Sequence, residues 1–141
     1  MSFSDIYRVS GSAMTAQTVR LNTIASNLAN AETASATEAD TYKARRPVFA
    51  AVYQNDELMR DKALSGARVQ VMDVVETGNA VQRYEPNNPM ANPEGYVYYP
   101  DVNVVEEMAD MMSASRGFET NVEVLNSIKS MQQSLLRLGE A

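Results

Sequence analysis

The stretch NVVEEMADMMSASRGFETNVEVLNSIKSMQQSLLRL, residues 103–138, runs without a proline and decides the fold. Its apolar residues fall at Val104, Met108, Met111, Phe118, Val122 and Leu125, alternating steps of four and three with Ser115 filling the one longer gap. That spacing is the seam of a helix packed on other helices. After Leu125 the phase slips, and the stripe resumes as Ile128, Met131, Leu135 and Leu138. Asn103 is a good N-cap, and Glu106 follows three residues later in a capping-box arrangement. Glu106, Glu107 and Asp110 fill the first turns while Lys129 and Arg137 lie late, as the helix dipole favours. Gly139 is placed to end the helix. Gly117 sits in the interior, where it costs about 1 kcal/mol against alanine. It marks a soft point or a close approach of another backbone.

The other end of the chain carries a thinner copy of this pattern. Tyr7, Met14, Leu21, Ile24 and Leu28 share one stripe, with Ile6, Val9, Ala13 and Ala16 beside it. Asp5, Arg8 and Arg20 are the charges of residues 3–30, and the rest is mostly Ser, Thr, Ala, Asn and Gln. Small polar residues all round a helix suit one packed closely on several neighbours. The apolar stripes are too thin to close a core of their own, so both helices are expected to be stable in company.

Between them the helical period stops. Residues 31–40 lack any large apolar side chain and read as a loop. Pro47 to Tyr53 and Ala67 to Glu76 are rich in valine and read as strands. Thr77-Gly78-Asn79 is a turn signal, followed by a short strand at Ala80 to Tyr84. Pro86, Pro89, Pro93 and Pro100 then make residues 85–101 extended or turn-rich, an arm suited to lie over a neighbour. The expected fold is mainly α: two long terminal helices pairing as a coiled coil around a small β-containing insert. The expected units are 1–31, an N-terminal assembly helix; 32–101, the loop, β-rich region and arm; and 102–141, a C-terminal assembly helix.

Composition narrows the function. The 141 residues are one domain's worth of chain, 45% hydrophobic and 21% charged. A net charge of −6 argues against nucleic acid, whose phosphates demand clustered cations; Lys43, Arg45 and Arg46 lie close together, but the basic residues are mostly isolated. With no histidine and no cysteine, imidazole acid–base chemistry, thiol nucleophiles, disulfides and nearly every transition-metal site are excluded. No cofactor is expected. The first fourteen residues lack the basic start and long apolar run of a cleaved secretory signal, so the mature chain is expected to begin at Met1 or Ser2. The longest apolar run, Val48 to Tyr53, is far short of the roughly 20 residues of a membrane helix, and no direct membrane insertion is expected.

Specific words in the sequence then point to a family. Asn27-Leu28-Ala29-Asn30-Ala31-Glu32-Thr33 resembles the N-terminal signature of bacterial flagellar axial proteins, the rod, hook and hook-associated subunits. Val104-Val105-Glu106-Glu107-Met108 and Ala114-Ser115-Arg116-Gly117-Phe118-Glu119-Thr120-Asn121 resemble that family's C-terminal signature, with Gly117 a departure from it. Tyr84-Glu85-Pro86-Asn87-Asn88-Pro89-Met90-Ala91-Asn92, leading into Gly95-Tyr96-Val97, resembles proximal rod subunits in particular. The resemblance covers essentially the whole chain. It implies a structural, non-enzymatic role: terminal helices, disordered in the free subunit, forming the inner coiled-coil layer of a helical tube that crosses the periplasm and transmits torque. It also implies export through the flagellum's own apparatus without a cleaved signal. The implied partners are its own copies, other rod proteins, the adaptor at the rod base and the export apparatus. On this reading the assembly residues are Tyr7, Met14, Leu21, Ile24, Asn27, Leu28 and Asn30 at one end, and Met108, Met111, Phe118, Val122, Leu125, Ile128, Met131, Leu135 and Leu138 at the other.

Three alternatives stand beside it. Another axial subunit, of rod or hook type, shares the terminal signatures. A cytoplasmic coiled-coil adaptor shares the helices. An enzyme would need paired carboxylates such as Asp73 with Glu76 or Glu106 with Asp110, and capping and solvation already account for the second pair.

Overall fold

The computed structural model describes residues 3–53 and 67–139. The expectation about Met1 and Ser2, and residues 54–66 of the middle region, lie outside them. Helix α1 (Phe3–Asn30) is followed by strands β1 (Ala44–Tyr53), β2 (Ala67–Thr77), β3 (Ala80–Tyr84) and β4 (Tyr96–Pro100), and α2 (Val104–Gly139) closes the chain. The strands form two separate antiparallel pairs, β1 with β2 and β3 with β4. Helix α1 is the central element, touching α2 as well as β1 and β2.

The hydroxyls of the Ser- and Thr-rich helix α1 are satisfied by bonding back to its own turns. Thr15, Thr18 and Thr23 donate to the carbonyls of Gly11, Met14 and Val19, four residues earlier, at 2.8–3.1 Å. Asn103 caps α2 as its position suggests, its Oδ1 accepting from the amides of Val105 (3.1 Å) and Glu106 (3.3 Å). The Glu106 carboxylate turns instead to Arg46, 3.5 Å away. Gly117 is explained by a neighbour. The Gln17 side chain of α1 lies against it, and a Cβ at Gly117 would stand 3.1 Å from Gln17 Nε2. The close approach is by a side chain rather than by another backbone.

Strand β1 begins at Ala44, three residues before the valine-rich run, because polar bonds extend it. Thr77 Oγ1 donates to the Ala44 carbonyl, and Asn27 of α1 takes both backbone groups of Arg45. Pro47 is tolerated inside β1 because a two-stranded sheet has only edges. A bulge between Val48 and Phe49 leaves Met72 of β2 unpaired in the register. Gly78, at φ +95°, joins one sheet to the other rather than closing a hairpin between β2 and its successor.

The proline-rich stretch is turn-rich from 85 to 95 and then folds back as β4 on β3. Tyr98 also exchanges backbone bonds with Ser35 at 2.9 and 3.0 Å, which ties the 31–40 loop to this sheet. Val97 is fully buried. Asn92 Oδ1 accepts from the Glu94 and Tyr96 amides, and Gly95 takes φ +84° with the Tyr84 ring packed where a Cβ would stand. The Glu85 carboxylate organises the base of this loop, accepting from Asn88 Nδ2 (2.9 Å) and Tyr99 Oη (3.0 Å). The Asn88 and Tyr99 hydrogen bonds hold the Glu85 carboxyl below its ordinary value, while burial and the Glu85 contact push the Tyr99 hydroxyl up.

A depressed carboxyl favours the fold when ionised, so its contribution is complete above the ordinary value of 4.5 and is lost as pH falls below that through the lowered folded value. The side-chain amide resonances of Asn88 should titrate with a midpoint below 4.5, and Glu85→Gln should abolish that titration. An Asn88 signal that is flat in the native chain would show that Glu85 does not organise the loop.

Candidate assembly surface

The surface is built from two helices that run antiparallel, as Asn27 Nδ2 bonding Glu107 Oε2 at one end and Tyr7 Oη bonding Gln132 Oε1 at the other require. What closes this pair within the chain is small or polar apart from two isoleucines. Ser10, Ile24 and Ala31 are buried on the α1 side, and Glu107, Ala114 and Ile128 on the α2 side. These positions recur in sevens, with Gln17 and Asn121 filling the gaps in the two rows. Arg20 Nη2 reaches Asp110 Oδ1 across the pair at 2.8 Å. Small side chains let the two backbones approach closely, and apart from Ile24 and Ile128 the large ones are left half-buried or exposed.

At the junction of α1, β1 and α2 stands Asn27, 1% exposed. Its amide donates to the Arg45 carbonyl (2.9 Å) and the Glu107 carboxylate (3.2 Å). Its oxygen accepts from the Arg45 amide (2.8 Å) and the Tyr42 hydroxyl (2.9 Å). Arg46 Nη2 lies 3.9 Å from the other Glu107 oxygen, so this buried carboxylate faces both an amide and a cation. Every hydrogen-bonding position of the Asn27 amide is used inside the chain, and the side chain is a hub of the fold.

The remaining residues read as assembly positions divide into three groups. Ile24 and Ile128 are buried between the chain's own elements. Asn30 is half-buried and turns its amide back to the Ser26 carbonyl at 2.8 Å. Met14, Leu21, Leu28, Met111, Phe118, Val122 and Leu125 are half-buried. The register set by Tyr7 and Gln132 carries Met14 to the level of Leu125, Leu21 to that of Phe118 and Leu28 to that of Met111. The two rows therefore border one another along one side of the helix pair. Tyr7, Met108, Met131, Leu135 and Leu138 are exposed. So are Val105, Met112 and Leu136, which the stripe did not include.

The carboxylate pairs are otherwise engaged. Glu76 bonds Arg45 at 3.6 Å, Asp73 accepts from the Val74 amide, and Glu106 and Asp110 pair with Arg46 and Arg20. No helix among the described residues is long and apolar enough to cross a membrane. Large exposed apolar rows on a helix pair are the kind of patch that marks an interaction surface.

Residues 8–37 match the family described as flagella basal body rod protein, and residues 94–138 the family described as flagellar basal body rod FlgEFG protein C-terminal. The class is that of structural rod subunits of the bacterial flagellum. Flagellar basal-body rod protein FlgC of Escherichia coli O157:H7 is 43% identical over 141 residues, covering 99% of this chain and all of the relative. The FlgC proteins of Salmonella typhimurium and Bacillus subtilis are 42% and 32% identical over 99% and 94% of the chain, and over 100% and 95% of their own lengths. The chain belongs to the family of the flagellar basal-body rod protein FlgC.

Proposed function

We propose that α1 and α2 pack with the terminal helices of neighbouring subunits as a coiled-coil layer, building a helical tube that carries torque from the motor toward the hook. The observation that carries this reading is the division of labour in the helix pair. Rows that are small or polar except at Ile24 and Ile128 close the chain on itself, while most of the other large apolar side chains of the two helices stay half-buried or exposed. Burying each such side chain against a neighbour contributes about 1.5–3 kcal/mol. The partners are copies of this chain, other rod proteins and an adaptor at the rod base, and the chain reaches its place through the flagellar export apparatus.

Purified basal bodies test the proposal. The chain should be present there, and cells lacking it should build no hook and not swim. Finding it only in the cytosol, with hooks still formed in its absence, would favour a cytoplasmic coiled-coil adaptor.

A further inference from the structure

Strands β1 and β2 make a sheet of two strands only, which is marginal in water without further support. Helix α1 packs on both strands, and the hydrogen-bonding edges remain. Which residues turn their backbone groups outward follows from the bonds already made. In an antiparallel pair, opposed residues alternately exchange both backbone bonds and neither. Arg45 gives its amide and carbonyl to Asn27, and the Val69 amide goes to Ser12 Oγ at 3.0 Å. The Arg45–Glu76 and Ala51–Val69 pairs are therefore of the second kind. Stepping by two from Ala51, Phe49 and Tyr53 also turn their N–H and C=O groups away from β2.

Elsewhere the outward positions are interrupted. Arg45 is held by Asn27, Pro47 has no N–H to offer, and on β2 the Val69 and Val74 amides go to Ser12 and Asp73. From Phe49 to Tyr53, about 17 Å of strand, no partner among the described residues takes the outward groups. Phe49 is 40% and Tyr53 57% exposed, with Ala51 exposed between them. Val48 to Tyr53 carries no charge, and an uncharged open edge is a template for another extended chain. Phe49 also lines a cleft of about 290 Å³ with Arg20, Ile24, Glu107 and Asp110. The charges there are already paired, Arg20 with Asp110 and Arg46 with Glu107, so the cleft suits an apolar side chain.

We propose that an extended, uncharged segment of a neighbouring polypeptide in the basal body pairs with β1 along Phe49–Tyr53 as a third strand. One of its apolar side chains fills the cleft beside Phe49. Backbone bonds recognise the extended chain, and the cleft and the uncharged edge select its side chains. The β1 edge of a second copy would arrive with its own β2 and α1, whereas α2 already stands beside this edge at Glu107 and Asp110. A lone strand fits that space. The contact belongs to the sheet and does not depend on how the terminal helices pack.

Amide hydrogen exchange of the full-length chain, read residue by residue, tests the third strand. In the free chain Ala50 and Val52 should be protected, while Phe49, Ala51 and Tyr53 exchange fast. The probe is a short peptide of alternating valine and threonine with a lysine at each end for solubility. It should slow exchange at Phe49, Ala51 and Tyr53 by roughly tenfold, the worth of one hydrogen bond at each. Ala51→Pro removes an outward N–H and spares the bonds to β2, as Pro47 does. It should keep Ala50 and Val52 protected and lose the response to peptide. If that variant fails to fold, Ala51→Lys, which sets a charge on the edge, should lose the response in its place. In purified basal bodies the amides of Phe49, Ala51 and Tyr53 should be protected as well. Slow exchange of these amides in the dilute free chain, no effect of the peptide, an undiminished response in a folded edge variant, or fast exchange in basal bodies would each overturn the proposal. Protection that rises with the concentration of the chain alone would assign the edge to a second copy and overturn it too.

Discussion

Asn27→Leu is expected to loosen the subunit more than any other single change at the helix junction. Leucine has nearly the shape of asparagine, so the site stays filled while its four hydrogen bonds vanish. The Arg45 amide and carbonyl then lose their partner, the Glu107 carboxylate keeps only the longer contact with Arg46, and the Tyr42 hydroxyl keeps only Ser26. A buried polar group left unsatisfied costs about 1–3 kcal/mol, more when charged, and the hub as a whole is worth about 3–5 kcal/mol. Urea titration of isolated basal bodies, following release of this chain by immunoblot, should show a midpoint lower by about 1–3 M. Asn22→Leu, one turn away on an exposed site, should leave the midpoint in place. A midpoint unchanged by Asn27→Leu would mean that β1 and α2 are held to α1 by packing alone.

The same residue shows how far the sequence could be read. Asn27 stands out as a word in a family signature, and nothing local says whether its amide looks outward to a neighbour or inward to β1 and α2. Its partners come from 15 to 80 residues away, where only the folded chain brings them. Glu107 posed the same problem in reverse. At the start of a helix it reads as a solvated dipole partner, yet it is buried, because Asn27 and Arg46 meet it there.

The helices and the first three strands were legible for plain physical reasons: large apolar residues at a period of seven mark a helix, and valine-rich runs bounded by a turn mark strands. Strand β4 lay in a stretch read only as extended or turn-rich. Apart from Ile24 and Ile128 the helix seam was not legible, because close approach selects Ser10, Gln17, Ala31, Ala114 and Gly117, which carry little hydrophobic signal. Only the bare spacing of sevens through Glu107, Ala114, Asn121 and Ile128 betrays it. The apolar stripe that the sequence displays lies mostly on the surface left over. The loop at 85–95 escaped for a third reason. Its order comes from Asn88 and Asn92 side chains and the Glu85–Tyr99 bond, and proline density alone reads only as a break in regular structure.

Leu125→Asp is the second large effect, and it separates assembly from folding. Leu125 is half-buried in the row that runs through Met111 and Phe118, at the level of Met14, and it sits where the apolar stripe changes phase. An aspartate there keeps enough solvent in the free subunit to remain ionised. Once a neighbouring helix covers the row, the charge must be desolvated without a partner or the carboxyl must take up a proton, at a cost of several kcal/mol either way. Repeated at every subunit contact, that cost stops the tube rather than the subunit. Leu125→Asp cells should therefore make and export the chain, build no rod or hook, and fail to swim. Asp110 cannot serve as the silent control that an exposed helix start would suggest, because it holds Arg20 across the helix pair at 2.8 Å. Ser127→Ala is the better control: Ser127 is exposed on α2, and changes at such sites are usually within about 0.5 kcal/mol. Those cells should swim. Normal swimming by Leu125→Asp cells, in a soft-agar assay with the chain confirmed in their basal bodies, would show that the Met111–Phe118–Leu125 row faces no neighbour, and the seam would then have to be sought on the Val105–Met112 side of α2.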